Sequence, residues 1–494
     1  MTTHVAPIKR EDDETKQKSE LVESSPIGVS VVGSVQSTSR WPVSWRRRWK
    51  IKNLNGRIFV SGFGLFADGY LSGIIGVVNI LMRKAWPDEY TPEKQRLLTS
   101  ITFAGIVIGQ LGFGWFVDRF GRRNGMKVSG IIIIVSSLLT AIPFGGPIPR
   151  TINLLAACRF FTGVGIGGEY PSGSVACAEA AALRPEGTRN RWFIFCTNIM
   201  ILGGFLAANL IPTAVVASTG EGTPKQCTNA FHILFGIGTI FALIVFIFRR
   251  FVDEGEQYEQ ARRDKIRISY KTVIRYYWRS LAVESLIWFL WNVTSFSYTI
   301  FAPRLVEMIG QPGQSLVQVF GYTACIMIFH FPGAVGGAYL SDRLGPRVML
   351  VLGSFCQVLM AALLAGLYAK IEIPTVAFIF IFGFFAMFGE AGAGNNIGLI
   401  VSQSAATPVR GKFYGVAAAC GKVGGFIGTH TFVHLIEAFG GEASKWGISG
   451  PFFVCGGIAL VTSVVAWWGL RNVRLDQKSL DNRDREFAGY MGGR

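Results

Sequence analysis

Twelve times between residues 58 and 470 an apolar run, long enough as a helix to cross a bilayer, is followed by a short polar connection. About 20 predominantly apolar residues are needed to cross the hydrocarbon as a helix. The runs lie at 58–82, 97–117, 125–145, 151–175, 191–216, 230–248, 281–302, 316–340, 347–369, 373–400, 411–436 and 450–470. Composition agrees with a polytopic membrane protein rather than a soluble domain: half of the 494 residues are hydrophobic and only 16% are charged. The lipid bilayer is therefore the expected surrounding of an all-α membrane protein with twelve transmembrane helices.

The formal charge of +17 does not point to nucleic acid, because Lys and Arg fall in short gaps between apolar segments rather than on one solvated face. Their distribution instead sets orientation. Residues 41–57, 118–127, 184–191, 249–279, 342–347, 410–412 and the tail from Arg471 hold 32 Lys or Arg, and the alternate loops hold nine. By the positive-inside rule both termini are expected in the cytoplasm. Within the spans only Arg159 and Lys422 are expected as cations at membrane depth. Seven of the eight cysteines lie in apolar stretches without C-x-x-C spacing, which reads as small-residue packing.

Residues 1–57 read as a cytoplasmic tail, disordered over the first 40 and basic near its end, with no apolar leader that would be cleaved. Residues 58–248 and 281–470 read as two six-helix bundles, joined by a cytoplasmic linker at 249–280 with interfacial-helix character and followed by a cytoplasmic tail at 471–494. An internal repeat supports the division. "VDRFGRR" at Asp118 recurs as "SDRLGPR" at Asp342, and the same offset of 224 carries Asp68 onto Asn292. Arg189 and Arg191 align with Arg410 and Lys412 at an offset of 221. Two pseudo-symmetric bundles with a site between them near the midplane is a transporter geometry.

"TGVGIGGEYPSGS", residues 162–174, contains G-x-G-x-x-G but lacks the strand, helix start and downstream acid that a dinucleotide site needs. Gly163 and Gly167 form G-x-x-x-G instead, a spacing that lets a neighbouring helix approach closely in lipid.

"GWFVDRFGRR" resembles the cytoplasmic loop signature of the major facilitator superfamily, and its second copy keeps Asp342, Arg343, Gly345 and Arg347 with Ala338 in place of the leading Gly. The resemblance implies the major facilitator fold and gating contacts, made and broken during the cycle, among Asp118, Arg119, Arg122, Arg123, Glu179, Arg189, Asp342, Arg343 and Arg410. "RFFTGVGIGGEYP", "FGLFADGYLSG" and "CGKVGG" are similar to proton-coupled phosphate symporters, and "LFADGY", "GIGGEYPSGSVA" and "WFLWNVTSF" together resemble the fungal glycerophosphoinositol and glycerophosphocholine permeases.

Ionisable groups inside a bilayer are costly unless paired or hydrated, so each is a functional candidate. The resemblance gives Asp68 and Glu169 as proton-coupling residues, with Arg159 as the expected partner of Asp68 and as a possible anion contact. Lys422 is expected as the substrate cation, and Tyr170, Trp288, Asn292, Asn198, Asn395 and Asn396 as further binding residues. Glu284 and Glu390 are secondary candidates in the same sense, and the histidines share no metal-ligand spacing. The phosphate symporters carry Asp and Tyr where Asn292 and Phe296 stand here. A phosphodiester has no P–OH to donate to a carboxylate, whereas an amide supplies N–H donors. The expectation is a proton-driven symporter for a glycerophosphodiester, a small anionic organophosphate, working as a monomer in the plasma membrane with no cofactor and no catalytic or metal site. An inorganic phosphate symporter, a sugar or polyol porter and a non-transporting nutrient sensor are the alternatives.

Overall fold

A computed structural model describes residues 54–142, 147–250, 268–310, 313–370, 374–442, 444–472 and 477–492. The tail expected at 1–57 is thus described only from residue 54, and the interfacial helix expected in the linker falls largely outside the described residues.

Among the described residues the helices form twelve passes. In order they are α1 (Leu54–Ala85), α2 (Pro92–Phe120), α3 (Arg122–Ala141), α4 (Ile148–Glu169) continued through a π turn (Tyr170–Ser174) into α5 (Val175–Ala181), α6 (Arg189–Cys196) with α7 (Asn198–Thr219), and α8 (Pro224–Arg249). The second half repeats the series with α9 (Tyr270–Ile309), α10 (Leu316–Leu344), α11 (Pro346–Lys370), α12 (Thr375–Gly389) continued through a π turn (Glu390–Gly394) into α13 (Asn395–Gln403), α14 (Arg410–Ala438) and α15 (Lys445–Gly469). A last helix, α16 (Gln477–Gly492), follows the final pass.

Among the described residues, nine passes are long and apolar enough to cross a membrane by composition alone. The other three of the twelve, α4–α5, α9 and α14, carry Arg159 and Glu169, Glu284 and Asn292, and Lys422. Their polar load lowers the hydropathy, and these polar side chains are buried.

Most run boundaries fall within the expected helices, with three local differences. Helix α9 begins at Tyr270, so residues assigned to the linker extend the seventh pass. The fifth pass is interrupted at Thr197, where the backbone leaves helical geometry (φ −122°, ψ −74°). The fourth and tenth passes, expected as regular helices, each widen into a π turn immediately after or at an acidic residue. Single π turns inside α-helices are often found at functional sites.

Packing within and between the halves follows the small residues. Gly163 and Gly167 of α4 face Gly105 and Gly109 of α2 so closely that a Cβ on any of them would run into the other helix's backbone, at Thr102 O, Ile106 O, Phe160 O and Val164 O respectively. Such backbone approach replaces hydrophobic driving force in lipid. Between the halves, α2 packs on α14, α7 on α10 and α1 on α9, so each half lends related helices to the interface. In the repeated loop motif Gly121 and Gly345 end one helix and precede the next at φ 101° and 85°, a left-handed conformation that glycine adopts without steric cost.

Candidate functional site

A cavity lies between the halves, with about 670 Å³ of space not filled by atoms, open solvent at its mouth included. Tyr170, Thr197 and Asn198 line it from the first half; Trp288, Asn292, Glu390, Asn395 and Lys422 line it from the second.

Lys422 is 3% exposed. Its ammonium lies 3.9 Å from the ring centre of Phe296 and 4.8 Å from that of Tyr170. Cation–π contacts of this kind hold a desolvated ammonium without cancelling its charge. Asn292 is buried, lines the cavity, and its Nδ2 has no protein partner among the described residues. Trp288 meets Tyr414 edge-on at 5.4 Å, which fixes the indole over this wall. Asn198 donates through Nδ2 to Glu390 Oε2 and to Asn395 Oδ1, both at 2.9 Å, and Asn395 donates to Ala334 O at 2.9 Å.

Other expected residues are placed differently. Asn396 does not line the cavity: its Nδ2 donates to Ala391 O and Gly392 O, and its Oδ1 accepts from Ser341. The expected Asp68–Arg159 pair is not formed. Both oxygens of the fully buried Asp68 lack a protein partner among the described residues, and the charges near it belong to Glu169, Arg249 and Lys422. Arg159 donates instead to Leu71 O at 3.2 Å and lies over Phe235 at 5.9 Å. Ten residues separate Arg159 from Glu169 on one pass, which places it about 15 Å along the helix from that acid's level.

The expectation of two cations at depth also needs correction. Arg249, the last residue of α8, is 1% exposed and its guanidinium pairs with the Glu169 carboxylate. Ser129 donates to the same carboxylate at 2.5 Å. A terminal position beside a basic linker hid Arg249 from sequence reasoning; a polar residue at the end of an apolar run facing an intramembrane acid was the available signal.

At the basic end, two reciprocal contacts join the halves. Asp118 accepts from Gly411 N (3.1 Å), Lys412 N (2.9 Å), Lys412 Nζ (3.1 Å) and Arg122 Nη1 (2.7 Å). Arg122 also reaches Glu179 at 3.3 Å, and Arg410 lies 3.7 Å from the same acid. In the related place, Asp342 accepts from Asn190 N at 3.1 Å and lies 3.6 Å from Arg191 Nε. Each aspartate thus sits at the start of a helix in the opposite half, where unpaired N–H groups favour a carboxylate.

The remaining expected gating residues make other contacts. Arg189 donates to Arg184 O at 2.7 Å, Arg123 to Arg250 O at 3.2 Å, Arg119 lies over Trp115 and Phe120, and Arg343 is exposed. Asn190, Arg191 and Lys412 take the bridging places; the 221-residue offset had aligned the last two without assigning them this contact. At the opposite end, Arg83 pairs with Glu307 at 2.8 Å and Glu221 accepts from Leu316 N at 2.9 Å, so the halves also meet there.

The Major Facilitator Superfamily pattern matches residues 58–429. A glycerophosphocholine permease of Candida albicans is 33% identical over 448 residues, 90% of this chain and 82% of its own length. The major glycerophosphoinositol permease of the same organism is 31% identical, covering 93% of this chain and 83% of that protein. Among solved structures, a proton:xylose symporter bound to 6-bromo-6-deoxy-D-glucose superposes with a TM-score of 0.69 at 16% identity, over 84% of this chain and 95% of that one. That likeness speaks to the fold alone.

Proposed function

This chain belongs to the Major Facilitator Superfamily, and from that premise we propose that it is a secondary transporter taking up a glycerophosphodiester, such as glycerophosphoinositol or glycerophosphocholine, by proton-coupled alternating access. The observation that carries the reading is Lys422, a buried ammonium at the wall of an inter-half cavity, held by two rings and hydrogen-bonded to no carboxylate among the described residues. A phosphate is the natural counter-charge for such a group.

Asn292 supports a diester over free phosphate: it lines the cavity with its Nδ2 unpartnered among the described residues, and an amide binds the phosphoryl oxygens without requiring a P–OH. Asp68 is the proton carrier in this reading, because a buried carboxyl with no fixed donor is free to load and unload as its surroundings change. Glu169, held by Arg249 and Ser129, is a second carrier whose proton would be exchanged only when that pair opens. The two aspartate contacts at the basic end act as the cytoplasmic gate. The proton gradient supplies the free energy, no cofactor takes part and nothing is chemically converted. The transporter works as a monomer in the plasma membrane with both termini in the cytoplasm.

Uptake into vesicles reconstituted with the full chain tests the reading. Labelled glycerophosphoinositol and glycerophosphocholine should accumulate when an inward proton gradient is imposed, and phosphate and glucose should compete poorly. Accumulation indifferent to the gradient would remove the symport claim, and preference for glucose would remove the organophosphate.

A further inference from the structure

Glu169 and Glu390 stand 221 residues apart at equivalent places in the two repeats, one just before its π turn and the other opening it. Their surroundings differ in one decisive respect. The Glu169 charge is met by Arg249. Glu390 has no Lys or Arg partner among the described residues; Asn198 donates to its Oε2 at 2.9 Å and His330 Nδ1 lies 3.3 Å from its Oε1. It is 5% exposed and lines the same cavity as Lys422.

The cavity is therefore lined by an amino group from α14 and a carboxyl group from the π turn after α12. Trp291 lines the cavity with the acid, and both flank Gly394, where an added Cβ would collide with Glu390 Oε2 and lie 3.2 Å from Trp291 Cζ2. Trp288, three residues earlier on α9, lines the cavity with it. Asn198 and His330 already hold one site on each carboxylate oxygen, so a ring of hydroxyl donors would share the acid with them. A trimethylammonium group donates no hydrogen bond and needs only the carboxylate's charge and aromatic faces.

We propose that Glu390, with Trp291, seats a cationic head group, so that the preferred cargo is a zwitterionic glycerophosphodiester carrying a quaternary ammonium rather than an inositol ester of net negative charge. The phosphate faces Lys422 and Asn292, and the ammonium faces Glu390. This rests on the glycerophosphodiester reading above and adds to it the sign of the head group.

The test uses the full chain in reconstituted vesicles. Uptake of labelled glycerophosphocholine by the unsubstituted protein is competed with unlabelled glycerophosphocholine and with its isostere in which tert-butyl replaces trimethylammonium, so that only the positive charge of the head group is lost. The isostere should compete at least tenfold more weakly; equal competition overturns the proposal whatever any variant does. In Glu390→Gln, KM for glycerophosphocholine should rise at least tenfold more than KM for glycerophosphoinositol, at matched membrane abundance. Equal losses for both cargoes overturn the proposal and leave Glu390 a structural group. Uptake of glycerophosphoinositol without glycerophosphocholine also overturns it while leaving the broader reading intact. Uptake of neither diester removes the broader reading itself.

Discussion

Lys422 and Asp68 are both buried and electrostatically close, yet neither is hydrogen-bonded to the other or to another charged group among the described residues. That arrangement gives them separable roles. Removing the ammonium leaves a bound phosphate without its counter-charge, a loss of roughly 2–5 kcal/mol when the pair is buried. Lys422→Ala is therefore expected to lower kcat/KM for the diester by about 30-fold or more, read from initial uptake rates against concentration. Asp68→Asn keeps the shape of the site but removes the exchangeable proton. It should abolish uphill accumulation under a pH gradient while labelled substrate still exchanges against unlabelled substrate across the membrane; loss of exchange as well would make Asp68 a binding or structural group instead. These residues were legible in sequence because a lone ionisable group within an apolar run is conspicuous. Pairings between passes were less so: His330 and Glu390 lie 60 residues apart on different passes, and only the fold brings them within 3.3 Å.

Helix identity was readable from run length, but the form of the interruptions within helices was not. The π turns at Tyr170–Ser174 and Glu390–Gly394 contain Pro171 and several glycines, poor residues for a helix interior, which signal an irregularity without specifying a π turn. The glycine face of α4 was readable from spacing, and its consequence is testable. Gly167→Val would drive a side chain into Ile106 O and Gln110 N of α2, an overpacking that costs about 1–3 kcal/mol. A lowered melting temperature in detergent is expected, whereas Gly112→Ala, with no other group within 4 Å of the added Cβ, should leave it nearly unchanged. The docking of α16 was beyond sequence reasoning. Asp484 accepts from Thr407 N at 2.8 Å and from its hydroxyl at 3.0 Å, while Phe487 packs against Tyr276 and Tyr277, so the tail closes over the start of α9 and the turn before α14.

The whole molecule is joined by contacts at both ends of the cavity: the two aspartates at the basic end, and Arg83–Glu307 with Glu221–Leu316 at the other. Access from either side requires one set to open. The two aspartate contacts are related but unequal, since Asp118 accepts four bonds, including one from the Lys412 ammonium, and Asp342 accepts one. Asp118→Asn is accordingly expected to expose the basic end more than Asp342→Asn does, measured by labelling of a cysteine introduced beside the cavity; equal labelling would count against the gate. The repeat at offsets 221 and 224 made this relation partly visible in the sequence, since it aligned the two aspartates and the two basic segments. It did not disclose that each acid reaches across to the other repeat, because a helix terminus becomes a receptor for a carboxylate only once the passes are assembled.

Reciprocity of that kind has a consequence for assembly. Each repeat presents both an acid and the helix start that receives one, so two separately translated polypeptides, cut between residues 251 and 267, would carry matching ends. Co-expressed, they should recognise each other, copurify through an affinity tag on either fragment and recover uptake. If neither fragment retained the other, the cross-repeat contacts would be products of the continuous chain rather than determinants of pairing.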